Sequence, residues 1–341
     1  MHVRTIAAIA AVTLTAGVLA ACGGESRGDD ATTAAAPAAS GTDTAAAPAS
    51  TAAADPSLSG TVSADGSSTV GPLTTAAAEA FGAANPGVQV TVGISGTGGG
   101  FEKFCNGETD LSNASRPIKD EEKTACESKG VKFHELLVAN DGITIVVNKD
   151  NDWATCLTVD QLKAMWGPDS KAGSWKDIDP SFPDESLKLY GPGTDSGTFD
   201  FFTAAINGEE DASRSDYSPS EDDNVTVQGV SGEKGGLGYF GLSYFEQNQD
   251  TLKALEVDGG AGCVAPSVAT VQDKTYTPLS RPLFVYVKDD ALKRPEVQAF
   301  VQYMTDNSAS LATTALFVPL TDAEIATEQA DLAAALTAVG A

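Results

Sequence analysis

The sequence has 341 residues and is strongly acidic, with 47 Asp and Glu residues against 21 Lys and Arg and a formal net charge of −26. This balance argues against nucleic acid as a partner and against electrostatic adhesion to anionic lipid. An anionic ligand would be repelled by the field of the chain, so its attraction must come from local dipoles and one or two well-placed cations.

The first residues predict export and a membrane anchor. Arg4 precedes an apolar, Ala-rich segment and a run of small residues, which is the layout of a signal peptide over residues 1–21. Leu19–Cys22 looks like a bacterial lipobox, in which the cysteine is lipidated; the alternative is an ordinary signal peptide with an incidental Cys22. We therefore expect a protein that is lipid-anchored to the cell membrane on its extracytoplasmic face.

Residues 22–57 predict a disordered tether after the lipidated cysteine. They are almost all Ala, Thr, Ser, Pro, Gly and Asp, so they cannot bury enough apolar surface to offset the entropy of ordering. The remaining chain, from residue 58, is long enough for two packed lobes.

Strand and helix patterns alternate through this remaining part. The sequence predicts strands at 59–68 and 88–95, a Gly loop with a short helix at 96–107, helices at 69–87, 119–130, 157–167, 196–208 and 294–315, and β-rich segments at 134–148 and 275–290. The alternation indicates an α/β fold, and the two long β-rich segments flank the middle third. We predict two α/β lobes joined by a two-strand hinge, with 58–142 and 277–341 in lobe I and 143–276 in lobe II.

The cysteines support an oxidising compartment. Apart from Cys22 there are four, which allow three disulfide pairings. Cys105–Cys126 with Cys156–Cys263 is favoured, because each pair then lies within one lobe. The sequence has no CxxC spacing, and His134 is the only histidine after the signal peptide, so we predict no metal site and no cofactor.

Four loops rich in Ser, Thr, Gly or Asn precede predicted helices. They are Gly66–Thr69, Ser95–Gly99, Asn113–Pro117 and Ser196–Thr198. Each places hydroxyls and unpaired backbone N–H groups at a helix N-terminus, where the helix dipole favours an anion. Any one of them could be a simple N-cap. The recurrence of four favours a shared pocket for an oxyanion.

Two charged residues accompany these loops. Arg116 follows the third loop, and its planar guanidinium can hold two oxygens of a tetrahedral anion. Arg281 stands in a second Ser-Arg-Pro triplet and is expected to have a structural role at the hinge. Asp141, in Asn140–Gly142, is either a turn former or an acceptor for a proton carried by the ligand. An acceptor would admit protonated phosphate and reject fully ionised sulfate.

The sequence resembles the phosphate-binding lipoproteins (PstS family) of Pst-type phosphate ABC transporters, in the branch that carries "GPGTDSGTFDYF". The resemblance extends from about Gly60 to about Val287. It rests on the segments "GSSTVGPL", "ISGTGGGFEKFC", "NASRPI", "ANDGITIVVN", "YGPGTDSGTFDFF", "SEDDNVTVQGV", "GGLGYFG" and "PLSRPLFVYV". It implies a type II periplasmic-binding-protein fold that closes on inorganic phosphate and delivers it to the permease subunits of an ABC importer.

By position, the resemblance also implies the ligand groups. They are Ser68, Thr69, the backbone N–H of Val70, Ser95, Thr97, Ser115, Arg116, Asp141, Ser196, Gly197 and Thr198. In the better-known proteobacterial relatives the position of Arg116 is an aspartate, and an arginine occupies the position that is Pro192 here. The binding cation is therefore expected at Arg116.

The expected protein is a monomer without catalytic activity. Two alternatives are a phosphate sensor or adhesin that does not transport, and a phosphatase with Ser196 as nucleophile. The phosphatase requires a general base, and the mature chain has a single histidine in a strand-like segment.

Overall fold

The computed structural model describes residues 57–340. Over that range the chain is a mixed α/β structure with twelve strands and eleven α-helices. The strands are β1 (Gly60–Gly66), β2 (Val88–Val92), β3 (Leu111–Ala114), β4 (Phe133–Asn148), β5 (Cys156–Thr158), β6 (Lys188–Gly191), β7 (Ser218–Pro219), β8 (Gly236–Gly241), β9 (Leu252–Ala254), β10 (Glu256–Asp258), β11 (Cys263–Val264) and β12 (Ser280–Lys288). The helices are α1 (Gly71–Ala84), α2 (Gly96–Cys105), α3 (Asp120–Ser128), α4 (Val159–Trp166), α5 (Gly197–Phe202), α6 (Asp223–Gly232), α7 (Leu242–Gln247), α8 (Val268–Gln272), α9 (Pro295–Asp306), α10 (Ser308–Thr314) and α11 (Asp322–Val339).

The predicted signal peptide, Cys22 and all but the last residue of the predicted tether lie outside the described residues. None of the helices between residues 57 and 340 is both long and apolar enough to cross a membrane.

One continuous sheet runs through the described structure. Its strand order is β2-β1-β3-β12-β4-β8-β6-β7, and β9 pairs with β4 outside this path. β1 is parallel to β2 and β3, whereas β12 is antiparallel to both β3 and β4. The chain thus forms two α/β halves, and the α/β class predicted from the sequence is confirmed.

β4 is the strand that belongs to both halves. Its first part pairs with β12 as far as Gly142, and from Ile143 onward it pairs with β8. Asn140–Gly142 does not form a turn, because these residues continue the strand and change only its partner. The side chains around this point are buried on both faces, which removes the alternation that a half-exposed strand would show.

The two halves have separate hydrophobic cores. One cluster draws on residues 62–139 and 283–332 and includes Phe81 and Phe300. The second draws on residues 143–279 and Val318 and includes Trp166 and Tyr239. We propose that these clusters are the cores of lobe I (58–142 with 277–341) and lobe II (143–276), with β4 and the segment leading into β12 as the two hinge strands.

Both predicted disulfides are confirmed. Cys105–Cys126 joins the end of α2 to α3 in lobe I. Cys156–Cys263 joins β5 to β11 in lobe II, across the small sheet of order β11-β10-β5. Each bridge therefore constrains one lobe and leaves the hinge without a covalent cross-link between the lobes among the described residues.

The C-terminal part differs from its prediction. The single helix predicted for 294–315 is two helices, α9 and α10, separated at Asn307. Its side-chain amide donates to the carbonyl of Tyr303, a local bond that competes with helix continuation. α11 was not predicted, although Thr321 and Glu324 form a capping box at its start.

Candidate functional site

The predicted site lies where β1 and β3 end. These parallel strands bring their carboxyl ends to one edge of the sheet, so Ser67–Val70 and Ser115 emerge side by side. The Ser67 hydroxyl accepts hydrogen bonds from the N–H groups of Thr69 (3.2 Å) and Val70 (3.4 Å). This contact orders the turn into α1, which has Pro72 in its first turn.

The next two predicted loops meet each other at this edge. The hydroxyls of Thr97 and Ser115 are 3.1 Å apart, and the Ser115 N–H donates to the Thr97 hydroxyl at 3.2 Å. The Ser95 hydroxyl instead donates to Asp65, which also receives Lys103 at 2.7 Å. Ser95 is the N-cap residue of α2 but its side chain caps no helical N–H, so the simple cap interpretation fails for this loop.

Arg116 is held by a carboxylate of its own lobe. Its two terminal nitrogens donate to the two oxygens of Glu122 at 2.8 and 2.7 Å, a bidentate ion pair. Its guanidinium also lies 5.8 Å from the Phe101 ring centre. Burial favours a raised pKa for Glu122, but the bonds from Arg116 and from the Lys119 N–H outweigh it and lower that pKa. Arg116 is thus partly exposed at this edge of the sheet, and Glu122 balances its charge.

Lobe II contributes the start of α5. The Ser196 hydroxyl accepts the Thr198 N–H at 3.2 Å, so here the N-cap interpretation applies. Gly197 lies directly against lobe I: a Cβ on this residue would stand 2.2 Å from the Thr69 hydroxyl oxygen and 2.9 Å from that of Ser68. The absence of a side chain at Gly197 is therefore what lets the two lobes meet at this point.

Arg281 is the residue on which these groups converge. Its Nη2 donates to the Thr69 hydroxyl at 2.8 Å and to the Gly197 carbonyl at 3.1 Å, and its Nε donates to Asp141 at 3.2 Å. The guanidinium also stacks 4.0 Å from the ring centre of Phe201. Burial lowers the pKa of Arg281, and the neighbouring Asp141 opposes that shift. One buried cation therefore touches both lobes.

Asp141 is a strand residue and not a turn former. It stands opposite Arg281 in the register of β4 and β12, and its side chain is 6 % exposed. A carboxylate so deeply buried requires a partner, and Arg281 supplies it. This pair lies at the place where β4 passes from lobe I to lobe II.

A further carboxylate, Asp200, faces the same point. Its Oδ2 lies 3.5 Å from the Ser68 hydroxyl, at the limit of a hydrogen bond. Burial, with help from the nearby charges of Glu210 and Asp211, raises the pKa of Asp200 to about 6. Asp200 therefore changes its charge close to neutral pH, at the mouth of the site.

The structure thus places seven of the predicted residues in two groups. Thr69, Asp141 and Gly197 bond to Arg281 and Ser68 lies beside Gly197, while Thr97, Ser115 and Arg116 form a neighbouring group. Ser95 bonds to Asp65 instead, and Ser196 caps the N–H of Thr198. Sequence reasoning missed Arg281, Asp200 and Glu122 as members of the site. A signal for Arg281 was present, since it repeats the Ser-Arg-Pro triplet of Arg116, but its partner Asp141 is 140 residues away.

Neither a metal centre nor a hydrolase site is evident in residues 57–340. The one grouping with metal-ligand spacing there is Cys156, Glu256 and Cys263, and the disulfide leaves it no thiolate. His134 lies seven residues from Asp141 along β4, about 23 Å at strand spacing. It is therefore too far from the start of α5 to serve Ser196 as a base.

Comparison with known proteins identifies the family. The family model described as a PBP superfamily domain matches residues 50–308. A phosphate-binding protein PstS from Staphylococcus saprophyticus is 43% identical over 275 residues, which is 80% of this chain and 84% of the relative. The chain belongs to the PstS family. A second relative, protein SphX from Synechococcus elongatus, is 49% identical over 262 residues, 76% of this chain and 77% of its own.

A solved structure shows the same PstS-type fold. A possible phosphate binding protein from Planctomyces limnophilus is 45% identical, superposes with a TM-score of 0.79, and covers 82% of this chain and 100% of its own. The type II periplasmic-binding-protein fold that the sequence predicted is therefore confirmed.

Proposed function

We propose that the protein captures inorganic phosphate outside the cytoplasm and delivers it to the permease subunits of an ABC importer. The observation that carries the proposal is the contact of Arg281 with Thr69 of lobe I and Gly197 of lobe II. An anion bound beside this cation can contact both lobes only when they are closed. It therefore binds the closed state more tightly than the open state, which is the condition for a ligand to drive closure. Membership of the PstS family supports phosphate as that anion.

The proposed ligand groups come from both lobes. Hydroxyl and backbone donors suit a tetrahedral oxyanion, because each phosphate oxygen accepts two or three hydrogen bonds. The proposed set is Ser68, Thr69, Val70, Ser95, Thr97, Ser115, Arg116, Asp141, Ser196, Gly197 and Thr198, to which we add Arg281. In this set Ser95 would have to give up its bond to Asp65, and Arg116 would have to turn from Glu122.

The two arginines have different proposed roles. Arg281 is held within lobe I by its bonds to Asp141 and Thr69, so it supplies positive charge at a fixed position to which Gly197 and Phe201 of lobe II add contacts. Arg116 is about one-third exposed, and its two bonds to Glu122 are ones that a phosphate could replace. We infer that Arg281 is the permanent counter-charge of the site and that Arg116 completes it when the ligand binds.

Asp141 is the proposed selectivity group. Arg281 occupies Oδ2 of this carboxylate, and no hydrogen bond to its other oxygen is found in the described part of the chain. A protonated phosphate oxygen can donate to such an acceptor, whereas sulfate has no proton to donate and meets only a like charge.

The location and state of the protein are also proposed. A signal peptide over residues 1–21, lipidation at Cys22 and a tether over 22–57 would hold a monomer on the extracytoplasmic face of the membrane. The protein is proposed to be a binding protein without catalysis, in keeping with the names of its relatives.

A crystal structure of the protein grown with phosphate tests the site. We expect one phosphate between the lobes, in contact with Thr69, Arg281 and the start of α5. A phosphate that touches one lobe only, or that binds away from Arg281, would contradict the proposed site. Phosphate uptake by cells with and without the protein tests transport. If the purified protein binds phosphate but its deletion leaves uptake unchanged, the protein is a sensor and not a transport receptor.

A further inference from the structure

A second concentration of positive charge lies at the other end of lobe I. A cavity of about 700 Å³ is open to solvent there, and five cationic side chains line it. They are Lys129, Lys132, Lys288, Lys293 and Arg294. Since the whole chain has only 21 Lys and Arg residues and a net charge of −26, nearly a quarter of its cations surround one cavity.

The topology explains where this basic cavity lies. β12 ends at Lys288, next to Phe133 at the start of β4, and the residue before it, Val287, is opposite Leu111 at the start of β3. The phosphate site is at the other edge, where β1 and β3 end. The two sites are therefore separated by the length of the sheet, and neither shares a proposed ligand residue with the other.

The charges of the cavity do not cancel. Three carboxylates line it, those of Asp110, Asp289 and Asp290, against the five cations. Arg294 is paired with Asp110 at 2.6 Å, and Lys293 is paired with Asp290 at 2.7 Å. The lining as a whole carries an excess of two positive charges.

Three of the lysines, Lys129, Lys132 and Lys288, have no ion-pair partner within the range that the structure describes. The Lys129 amine donates to the side-chain oxygen of Asn106, and Lys288 is partly buried. Burial lowers the pKa of Lys288; Asp110 opposes this shift, and Arg294 adds to it. A bound anion beside Lys288, in addition to Asp110, would offset both the desolvation of the Lys288 ammonium group and its repulsion from Arg294.

We propose that this basic cavity binds a compact polyanion that carries two or more phosphate groups. The cavity has the size of a small-molecule site rather than that of a single tetrahedral ion. Lysine ammonium groups bind phosphates as point charges. Three lysines that line one cavity without an ion-pair partner match an anion with separate charged groups better than a single carboxylate. This proposal is independent of the phosphate site between the lobes.

Such phosphates have two sources, a free oligophosphate or the headgroups of anionic lipid. The described chain enters lobe I at this same end: a Cβ on Gly60 would lie 2.6 Å from the Glu296 carboxyl carbon, and Glu296 contacts Arg294 of the cavity at 3.8 Å. The cavity is therefore beside the segment that leads back toward the proposed membrane anchor. The experiment needs an arm for each source.

The first arm is a calorimetric titration of the full-length protein, solubilised in non-ionic detergent, with tripolyphosphate. The test variant is Lys132→Gln/Lys288→Gln, and the matched control is Lys163→Gln/Lys176→Gln, which removes the same charge from lobe II. We expect the test variant to bind tripolyphosphate about tenfold or more weakly, because two close charges are lost. The control variant and the affinity for inorganic phosphate should be unchanged.

The second arm compares binding of the same three proteins to phosphatidylglycerol and to phosphatidylcholine vesicles. The proposed lipid anchor at Cys22 would insert into both types of vesicle. Anionic lipid is therefore identified as the source of the phosphate groups only if the wild type prefers phosphatidylglycerol and the test variant loses this preference. Either a tripolyphosphate effect or a lipid effect specific to the test variant supports the cavity as a polyanion site. If the test variant behaves like the wild type in both arms, the proposal is wrong.

Discussion

The pair formed by Arg281 and Asp141 is the feature whose removal should be most informative. Their side chains are 12 % and 6 % exposed, so substitution of one leaves the other charge buried without its partner. Loss of one member of a buried pair costs about 3–5 kcal/mol of unfolding free energy. For Arg281→Met we expect this range, since the bonds to Thr69 and Gly197 are lost as well.

For Asp141→Asn we expect a smaller loss. Arg281 then keeps its bonds to Thr69 and Gly197 and its contact with Phe201. The loss should be about 1.5–3 kcal/mol, the value of a hydrogen bond to a charged group. In the double variant no charge is left unpaired, so its loss should be less than the sum of the two single losses by about 2 kcal/mol.

Denaturant unfolding of the four proteins in phosphate-free buffer measures this coupling. The exposed pair Lys119–Glu121, at 3.8 Å, is the matched control and should be additive. Phosphate affinity, measured in parallel, should fall by about a hundredfold or more for Arg281→Met, because a charge-assisted contact is lost from a desolvated site. A coupling below about 0.5 kcal/mol would refute the account of Arg281 as a buried partner of Asp141.

Three further predictions concern the edges of the same site. Gly197→Ala should prevent close approach of the lobes at Thr69 and weaken phosphate binding at least tenfold, whereas Gly232→Ala, with nothing within 4 Å of the new Cβ, should bind normally by calorimetry. Arg116→Ala should weaken phosphate binding in the same titration; equal affinity to wild type would exclude Arg116 from the site. Because the pKa of Asp200 is raised to about 6, the folded state holds its proton more tightly than the unfolded state, and stability falls as pH rises from about 4 to about 6. Asp200→Asn should reduce that slope in unfolding curves and leave the part due to Asp223 and Glu328, whose pKa values are also raised to about 6. It should strengthen phosphate binding at pH 7.5 but not at pH 5; a pH-independent difference would contradict the raised pKa of Asp200.

The local patterns of the sequence predicted the parts of the fold that they determine. Pro72 and Asn85 define the ends of α1, and alternation defines β2, so both elements agree with their predictions to within three residues. The disulfide pairs followed from the lobe division, which itself came from two long β-rich segments.

Two of the failures have a common physical cause, which is contact between distant residues. Asn140–Gly142 is typical of a turn, yet it remains in β4 because β12 and β8 supply its hydrogen-bond partners. Arg281 was assigned to the hinge alone, because its bond to Thr69 joins residues 212 positions apart and its bond to Gly197 arises only when the lobes meet. Neither contact can be predicted from the residues adjacent in sequence.

The most direct test of phosphate binding is a calorimetric comparison of inorganic phosphate with sulfate on the full-length protein. We expect one phosphate bound per chain and sulfate bound about a hundredfold more weakly or not at all, because sulfate cannot donate a proton to Asp141. Absence of heat with phosphate, or sulfate binding of equal strength, would contradict the account.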